Sequence, residues 1–364
     1  MVAWRRHMAR TLREPRYAGW LIKDKLRERR YRRDLRNRYF SHLDGGGEAP
    51  LPFAMNVFLT ETCNLTCRFC EFAHRTTNRS LSFPQVSHIL RQAADLGVRE
   101  VNFTGGEPLT HPEYFRIQDL TRELGMRTLL STNGILLERH APQFKGWEGA
   151  IFVSISLDGA RADTHDRLRG MPGAFDRTIA GITALTRVLD PDMIEMTFLV
   201  TRENAGELED AYDLSRRLGV WFSLNPVQGA PDFYLTGASR AIYDQAIRRL
   251  RGKAYKIGAN WEYYRHVSDY HARHKLRVRC AGLGLSFGVD VEGNLKPCCV
   301  WEHPYSAGNI LETPLDALWH SEGARRIRQS LFEGKCPFSC YNITYLKEFT
   351  RITGKPFLVD GWER

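Results

Sequence analysis

The chain has 364 residues, 43% hydrophobic and 26% charged, with 52 Lys and Arg against 42 Asp and Glu. This composition excludes a disordered chain, and no stretch approaches twenty uncharged apolar residues, which excludes a membrane-spanning helix. The first thirty residues hold no apolar signal core, so the eight cysteines point to metal or redox chemistry in a reducing, cytoplasmic compartment rather than to disulfides.

The positive charge is local. Residues 1–40 carry 14 Lys and Arg and four acids (Glu14, Asp24, Glu28, Asp34), while the rest of the chain balances at 38 of each sign. Within residues 1–47 apolar side chains recur at helical spacing (Trp4, Met8, Leu12; Tyr31, Leu35, Tyr39), and Asp44-Gly45-Gly46-Gly47 breaks the pattern. Such a basic helical arm either packs its aromatic stripe on the protein's own body or lies on an anionic membrane surface through residues 1–43. A polyanion contact is a further reading, although nucleic acid is not the expected partner.

Between residues 48 and 227, short β-rich runs (56–60, 100–104, 127–131, 150–156, 193–200, 220–226) alternate with amphipathic stretches, notably 83–96, 112–124, 174–189 and 205–218. Alternation of this kind builds right-handed βαβ units and a parallel α/β sheet, open or curled into a partial barrel. Its chemistry gathers at the C-terminal ends of the strands. Residues 228–279 read as a helical linker, and 280–364 as a cysteine-bearing α+β domain without the βα repeat.

Directly after the first expected strand stands Cys63-Asn-Leu-Thr-Cys67-Arg-Phe-Cys70. Three thiolates so close converge around something larger than one ion, as in iron–sulfur sites. A zinc site with His74 as its fourth ligand is the alternative. Four further segments fall at later strand ends: Thr104-Gly105-Gly106-Glu107-Pro108, Ser131-Thr132-Asn133-Gly134, Ser154-Ile-Ser156-Leu-Asp158-Gly159, and, after the fourth strand, His165-Asp166-Arg167-Leu168-Arg169-Gly170. Taken singly, Gly-Gly-Glu-Pro or Asn-Gly reads as a turn.

Taken in order, they resemble the radical S-adenosylmethionine (radical SAM) superfamily over roughly residues 53–226. The resemblance implies a partial (β/α)6 barrel of TIM type in which Cys63, Cys67 and Cys70 hold a 4Fe-4S cluster that leaves one iron open. Reduced, that cluster cleaves SAM to a 5′-deoxyadenosyl radical, which abstracts a hydrogen atom from the substrate. It further implies that Gly105, Gly106 and Glu107 receive the methionine ammonium, and that Ser131, Asn133, Ser156 and Asp158 hold its ribose and carboxylate end. Arg169 would pair with the carboxylate, and Phe69 would lie beside the adenine. A flavodoxin or ferredoxin would supply the electron.

The remaining cysteines are Cys280, Cys298, Cys299, Cys336 and Cys340. With Gly293-Asn-Leu-Lys-Pro-Cys298 and Gly308-Asn309-Ile310 between them, they resemble the C-terminal SPASM region, in its shortened twitch form with one auxiliary 4Fe-4S cluster. Cys280, Cys298, Cys336 and Cys340 are the ligands so implied, with Cys299 able to replace Cys298. A four-cysteine zinc site is the alternative by spacing alone.

A sealed auxiliary cluster suits electron acceptance, hence net dehydrogenation or rearrangement of a small sugar-like or aminocyclitol-like molecule by a radical SAM oxidoreductase. The competing readings are a peptide maturase that crosslinks or epimerises its substrate, and an enzyme for a membrane-bound or lipid-linked substrate. A non-catalytic iron–sulfur carrier would leave Glu107, Asn133 and Asp158 without a purpose. The segment from Trp261 to His266 could line the barrel mouth, but the same string suits a helix packing its aromatics. His111, before Pro112, reads as a helix-start residue. No residue is assigned as catalytic.

Overall fold

The computed structural model describes residues 49–336 except 75–76, 148, 254–260, 274–279, 299 and 301–303. The basic arm, Cys299 and Cys340 lie outside the described residues.

Six parallel strands form the body: β1 (Ala54–Thr60), β2 (Glu100–Gly105), β3 (Arg127–Thr132), β4 (Ile151–Ser156), β5 (Ile194–Val200) and β6 (Trp221–Pro226). Each pairs with the next in sequence. Val101, Phe103, Val153, Ile155, Met196, Phe198 and Phe222 are wholly buried on the outer face, beneath the helices that connect the strands.

The helices are α1 (Phe83–Leu96), α2 (Tyr114–Glu123), the short α3 (Leu137–His140), α4 (Ala162–Arg169), α5 (Ala174–Leu185) and α6 (Leu208–Leu218). In α1 the apolar residues Val86, Ile89, Leu90, Ala93 and Leu96 fall on one buried stripe. The helix starts at Ser82, whose N–H donates to Gln85 Oε1 at 2.9 Å, and stops at Gly97, where φ is +100°.

The sheet curls. The loop after β1 reaches the loops after β5 and β6, with Arg68 Nη1 2.8 Å from Glu203 Oε2 and the Phe69 ring edge-on to Phe233 at 6.0 Å. This closure is the partial barrel expected from the sequence.

The sheet also continues where no repeat signalled it. β7 (Ser286–Val289) lies parallel to β1 on its free side and turns through Gly293 into the antiparallel β8 (Leu295–Lys296). Four residues are too few for periodicity to announce a strand. The C-terminal region is thus built onto the barrel sheet. Its helices α9 (Leu315–His320) and α10 (Glu322–Phe332) are tied back to the core. Leu315 N donates to Gln92 Oε1 at 2.7 Å, and Trp319 Nε1 to the Pro50 carbonyl at 2.8 Å.

At the opposite edge, α7 (Gly237–Lys253) and α8 (Trp261–Arg273) cover β6. Leu224 N donates to the hydroxyl of buried Tyr264 at 3.2 Å, and the Tyr243 hydroxyl donates to the Tyr264 carbonyl at 2.7 Å. Tyr264 thus blunts an edge N–H that the sheet leaves unpaired. Tyr264→Phe leaves that donor buried and unmatched, and a loss of about 1–3 kcal/mol is expected. Urea denaturation followed by circular dichroism measures it.

Candidate functional site

Four strand ends converge on one cavity of about 190 Å³. Its wall includes Cys63, Cys67 and Cys70, Gly105 and Gly106 after β2, Ser131 and Asn133 around the end of β3, Ser156 of β4, and Arg169 of α4. Nine residues singled out from sequence therefore meet at one place. Phe69, Glu107 and Asp158 stand outside the lining, and their contacts explain why.

Glu107 is wholly buried, and its carboxylate accepts from Leu109 N (3.1 Å), the Thr132 hydroxyl (2.8 Å) and Asn133 N (2.7 Å). It joins the end of β2 to the end of β3. Burial pushes its pKa up to about 7, against those three donors and the charge of Arg169. Asn133 reaches the cysteine loop, its Nδ2 donating to Asn64 Oδ1 at 2.7 Å and lying 3.9 Å from Cys63 Sγ.

Arg169 carries the other side. Its Nη2 lies 2.6 Å from Asp158 Oδ2, its Nη1 3.9 Å from Cys67 Sγ, and its guanidinium 5.6 Å from the centre of the Phe69 ring. Asp158 is held in turn by Leu199 N at 3.0 Å. Among the described residues the buried Arg169 Nε has no hydrogen-bond partner. Phe69 is packed between Arg169 and Phe233.

The two glycines serve the backbone of the neighbouring loop. A Cβ on Gly105 would stand 2.4 Å from the Thr60 carbonyl oxygen, and one on Gly106 would come closer still to that of Thr62. Only glycine lets β2 end against the start of the cysteine loop.

Several residues important to this arrangement were not foreseen. Glu207 accepts from Ala160 N at 2.8 Å, from the Thr164 hydroxyl and from Arg161, and so fixes the loop before α4. Asn204 donates to the carbonyls of Asp158 and Leu199. Nothing local marks either residue; only the fold brings them to the loop. His111 has a structural task, its Nε2 2.8 Å from the Leu81 carbonyl.

Burial holds the thiols of Cys63 and Cys67 protonated. Cys63 is pushed up to about 11, with Glu107, Cys67 and Cys70 adding to the effect of burial; Cys67 is also raised by burial, against the pull of Arg169. Ligating a metal there releases protons. Among the described residues no three His, Cys, Asp or Glu side chains stand close enough to hold a single metal ion. Cys63, Cys67 and Cys70 all line the cavity, as a multi-iron group shared among three thiolates requires.

Farther along the chain, Cys280, Cys298 and Cys336 are all buried. Cys280 N donates to the Leu331 carbonyl at 3.1 Å, shortly before Cys336. A Cβ on Gly282 would touch the Pro297 carbonyl at 3.0 Å, next to Cys298.

Residues 57–215 match the radical SAM superfamily, and residues 280–341 the iron-sulfur cluster-binding SPASM domain. The AdoMet-dependent heme synthase of Methanosarcina barkeri is 32% identical over 307 residues, spanning 76% of this chain and 85% of that protein. The antilisterial bacteriocin subtilosin biosynthesis protein AlbA of Bacillus subtilis is 27% identical over 317 residues, 82% of this chain and 68% of AlbA. Proteins named PqqA peptide cyclase and mycofactocin maturase MftC are also similar.

Among solved structures, Streptococcus suis SuiB bound to S-adenosylmethionine shares the fold, with a TM-score of 0.61 at 17% identity over 76% of this chain and 68% of SuiB. The chain belongs to the radical SAM superfamily, among the enzymes that carry a SPASM domain. Its cofactors are S-adenosylmethionine, a 4Fe-4S cluster and an auxiliary iron–sulfur cluster.

The cavity fits those groups: three thiols around a space, and a buried cation with an unmatched N–H on the wall beside them. Two expectations follow. Glu107 titrates near 7 in the folded protein and near 4.5 when unfolded, so folding takes up a proton between those values. The stability of the cofactor-free protein then falls as pH rises from 4.5 to 7, by about 3 kcal/mol. Glu107→Gln abolishes that fall, as denaturation midpoints at pH 5 and pH 7 will read. Gly106→Ala displaces Thr62 and the loop it begins, and iron bound after reconstitution is expected to drop by up to about half, one of two clusters.

Proposed function

We propose that this enzyme is a maturase which modifies a peptide by radical chemistry, with Cys63, Cys67 and Cys70 holding the SAM-binding 4Fe-4S cluster. Held there, the cluster and SAM would supply radical hydrogen-abstraction chemistry. The chain's own residues set its geometry. Asn133 stands beside Cys63 and Arg169 beside Cys67, Gly105 and Gly106 keep the wall thin, and Ser131 and Ser156 offer hydroxyls from the sheet. Glu107 and Asp158 act from behind, the first orienting Asn133 and the second Arg169. Cys280, Cys298, Cys336 and Cys340 are the proposed ligands of the auxiliary cluster.

The observation that carries the peptide assignment is that similarity across most of the chain extends to a protein named PqqA peptide cyclase, beside a maturase, MftC, and a bacteriocin biosynthesis protein, AlbA. Oxidation of a sugar or aminocyclitol, favoured on sequence alone, drops behind this reading. The heme synthase of Methanosarcina barkeri, at 32% identity, favours a second reading, action on a porphyrin.

Two measurements test the assignment. Iron and sulfide after anaerobic reconstitution should fall from about eight to about four per chain in the Cys63→Ala/Cys67→Ala/Cys70→Ala variant, one 4Fe-4S cluster of two, with SAM cleavage lost. Cleavage that persists there refutes the ligand assignment. Co-expression with the short open reading frames flanking the gene, followed by mass spectrometry, should give a peptide whose mass changes only with the intact enzyme. Heme formation from a porphyrin precursor, with every peptide unchanged, would establish the second reading instead.

A further inference from the structure

The inner face of the curled sheet is a cleft. On β4, Ile151, Val153 and Ile155 are buried outward while Phe152, Ser154 and Ser156 keep partial exposure; on β6, Phe222 and Leu224 are buried while Trp221, Ser223 and Asn225 are not. A filled barrel would bury both sets.

Ser156 lines the cavity and is in register with Thr197 of β5. Two residues nearer the start of β5 stands Glu195, in register with Ser154 on one side and Trp221 on the other. At about 3.3 Å per residue, Glu195 lies roughly 7 Å deeper than that wall.

Its surroundings are hydroxyls. Thr197 Oγ1 donates to Glu195 Oε1 at 3.3 Å and is linked to Ser154 at 2.6 Å and to Ser223 at 3.1 Å. Ser223 also hydrogen-bonds the Glu195 carboxylate. No ion pair to Glu195 occurs among the described residues, and both hydroxyl partners are neutral. Burial raises its pKa, with the two hydroxyls opposing, so ionisation here calls for a counter-charge.

We propose that Glu195 selects the substrate by receiving a cationic side chain of the peptide, a lysine ammonium or arginine guanidinium, at the floor of the cleft. This rests on the peptide reading above. Trp221, its neighbour in register, adds an aromatic face suited to the same cation. A carboxylate-bearing substrate would set like charges together at this depth.

The test uses the reconstituted full-length enzyme with SAM and dithionite. Its probes are three N-acetylated, C-amidated tripeptides, glycine–X–glycine, in which X is side-chain-deuterated lysine, norleucine or glutamate. Deuterium in 5′-deoxyadenosine, read by mass spectrometry, reports which side chain reached the radical. The lysine peptide should transfer at least about tenfold more than the norleucine peptide, the effect of one charged hydrogen bond. Glu195→Gln should erase that preference, and Glu195→Lys should turn it toward the glutamate peptide.

Equal transfer from lysine and norleucine peptides in the wild type overturns the role of Glu195 and leaves the peptide reading standing. So does a lysine preference that survives Glu195→Gln at wild-type iron content. No transfer from any of the three, with 5′-deoxyadenosine still formed, overturns the peptide reading and the proposal with it.

Discussion

A buried ion pair sets the geometry of this site. Arg169 and Asp158, 2.6 Å apart and almost wholly out of water, could not remain ionised there singly. Burying two charges is favourable only when their geometry and further hydrogen bonds offset the loss of hydration. Here Leu199 N holds the aspartate, and the guanidinium spans from it to Cys67 Sγ while lying against the Phe69 ring. Removing either partner strands the other charge beside the cysteine loop.

Three residues around Arg169 support that pair: His165, Asp166 and Gly170. His165 Nδ1 accepts from Asp158 N at 3.1 Å, and burial keeps the ring neutral, so it adds no second positive charge beside Arg169. Asp166 accepts from Gly173 N and Phe175 N, starting α5. Gly170, at φ +70°, lets the chain pass against Thr66, whose hydroxyl donates to its carbonyl at 2.9 Å. His165, Asp166, Arg169 and Gly170 thus serve one end: to bring a cation from α4 onto the loop that follows β1.

Much of this was legible beforehand because its causes are local. The cysteine spacing, the paired glycines and the strand–helix alternation each leave a mark within ten residues, and their order placed the cavity at the C-terminal strand ends. Glu107 was legible as a site residue, yet two of its three donors, Thr132 and Asn133, depend on where β3 ends. Glu207, Asn204 and the pairing of β7 with β1 were illegible for the same reason, since each is a long-range contact with no local signature. Glu195 sat in a run that read simply as a strand. Which side of that strand faces the cleft is a matter of register, and one residue of slip would have turned it outward.

The joining of β7 to β1 bears on how the protein is made. Asn56 Nδ2 donates to the Phe287 carbonyl across 231 residues of sequence, so the first strand acquires its outer neighbour only when nearly four-fifths of the chain has been synthesised. Until then one flank of β1 offers free backbone groups, the kind of edge that recruits other chains. The final strands therefore act during synthesis as the seal on the barrel, and a ribosome that stops early releases a sheet that is sticky on the very strand that leads into the cysteine loop.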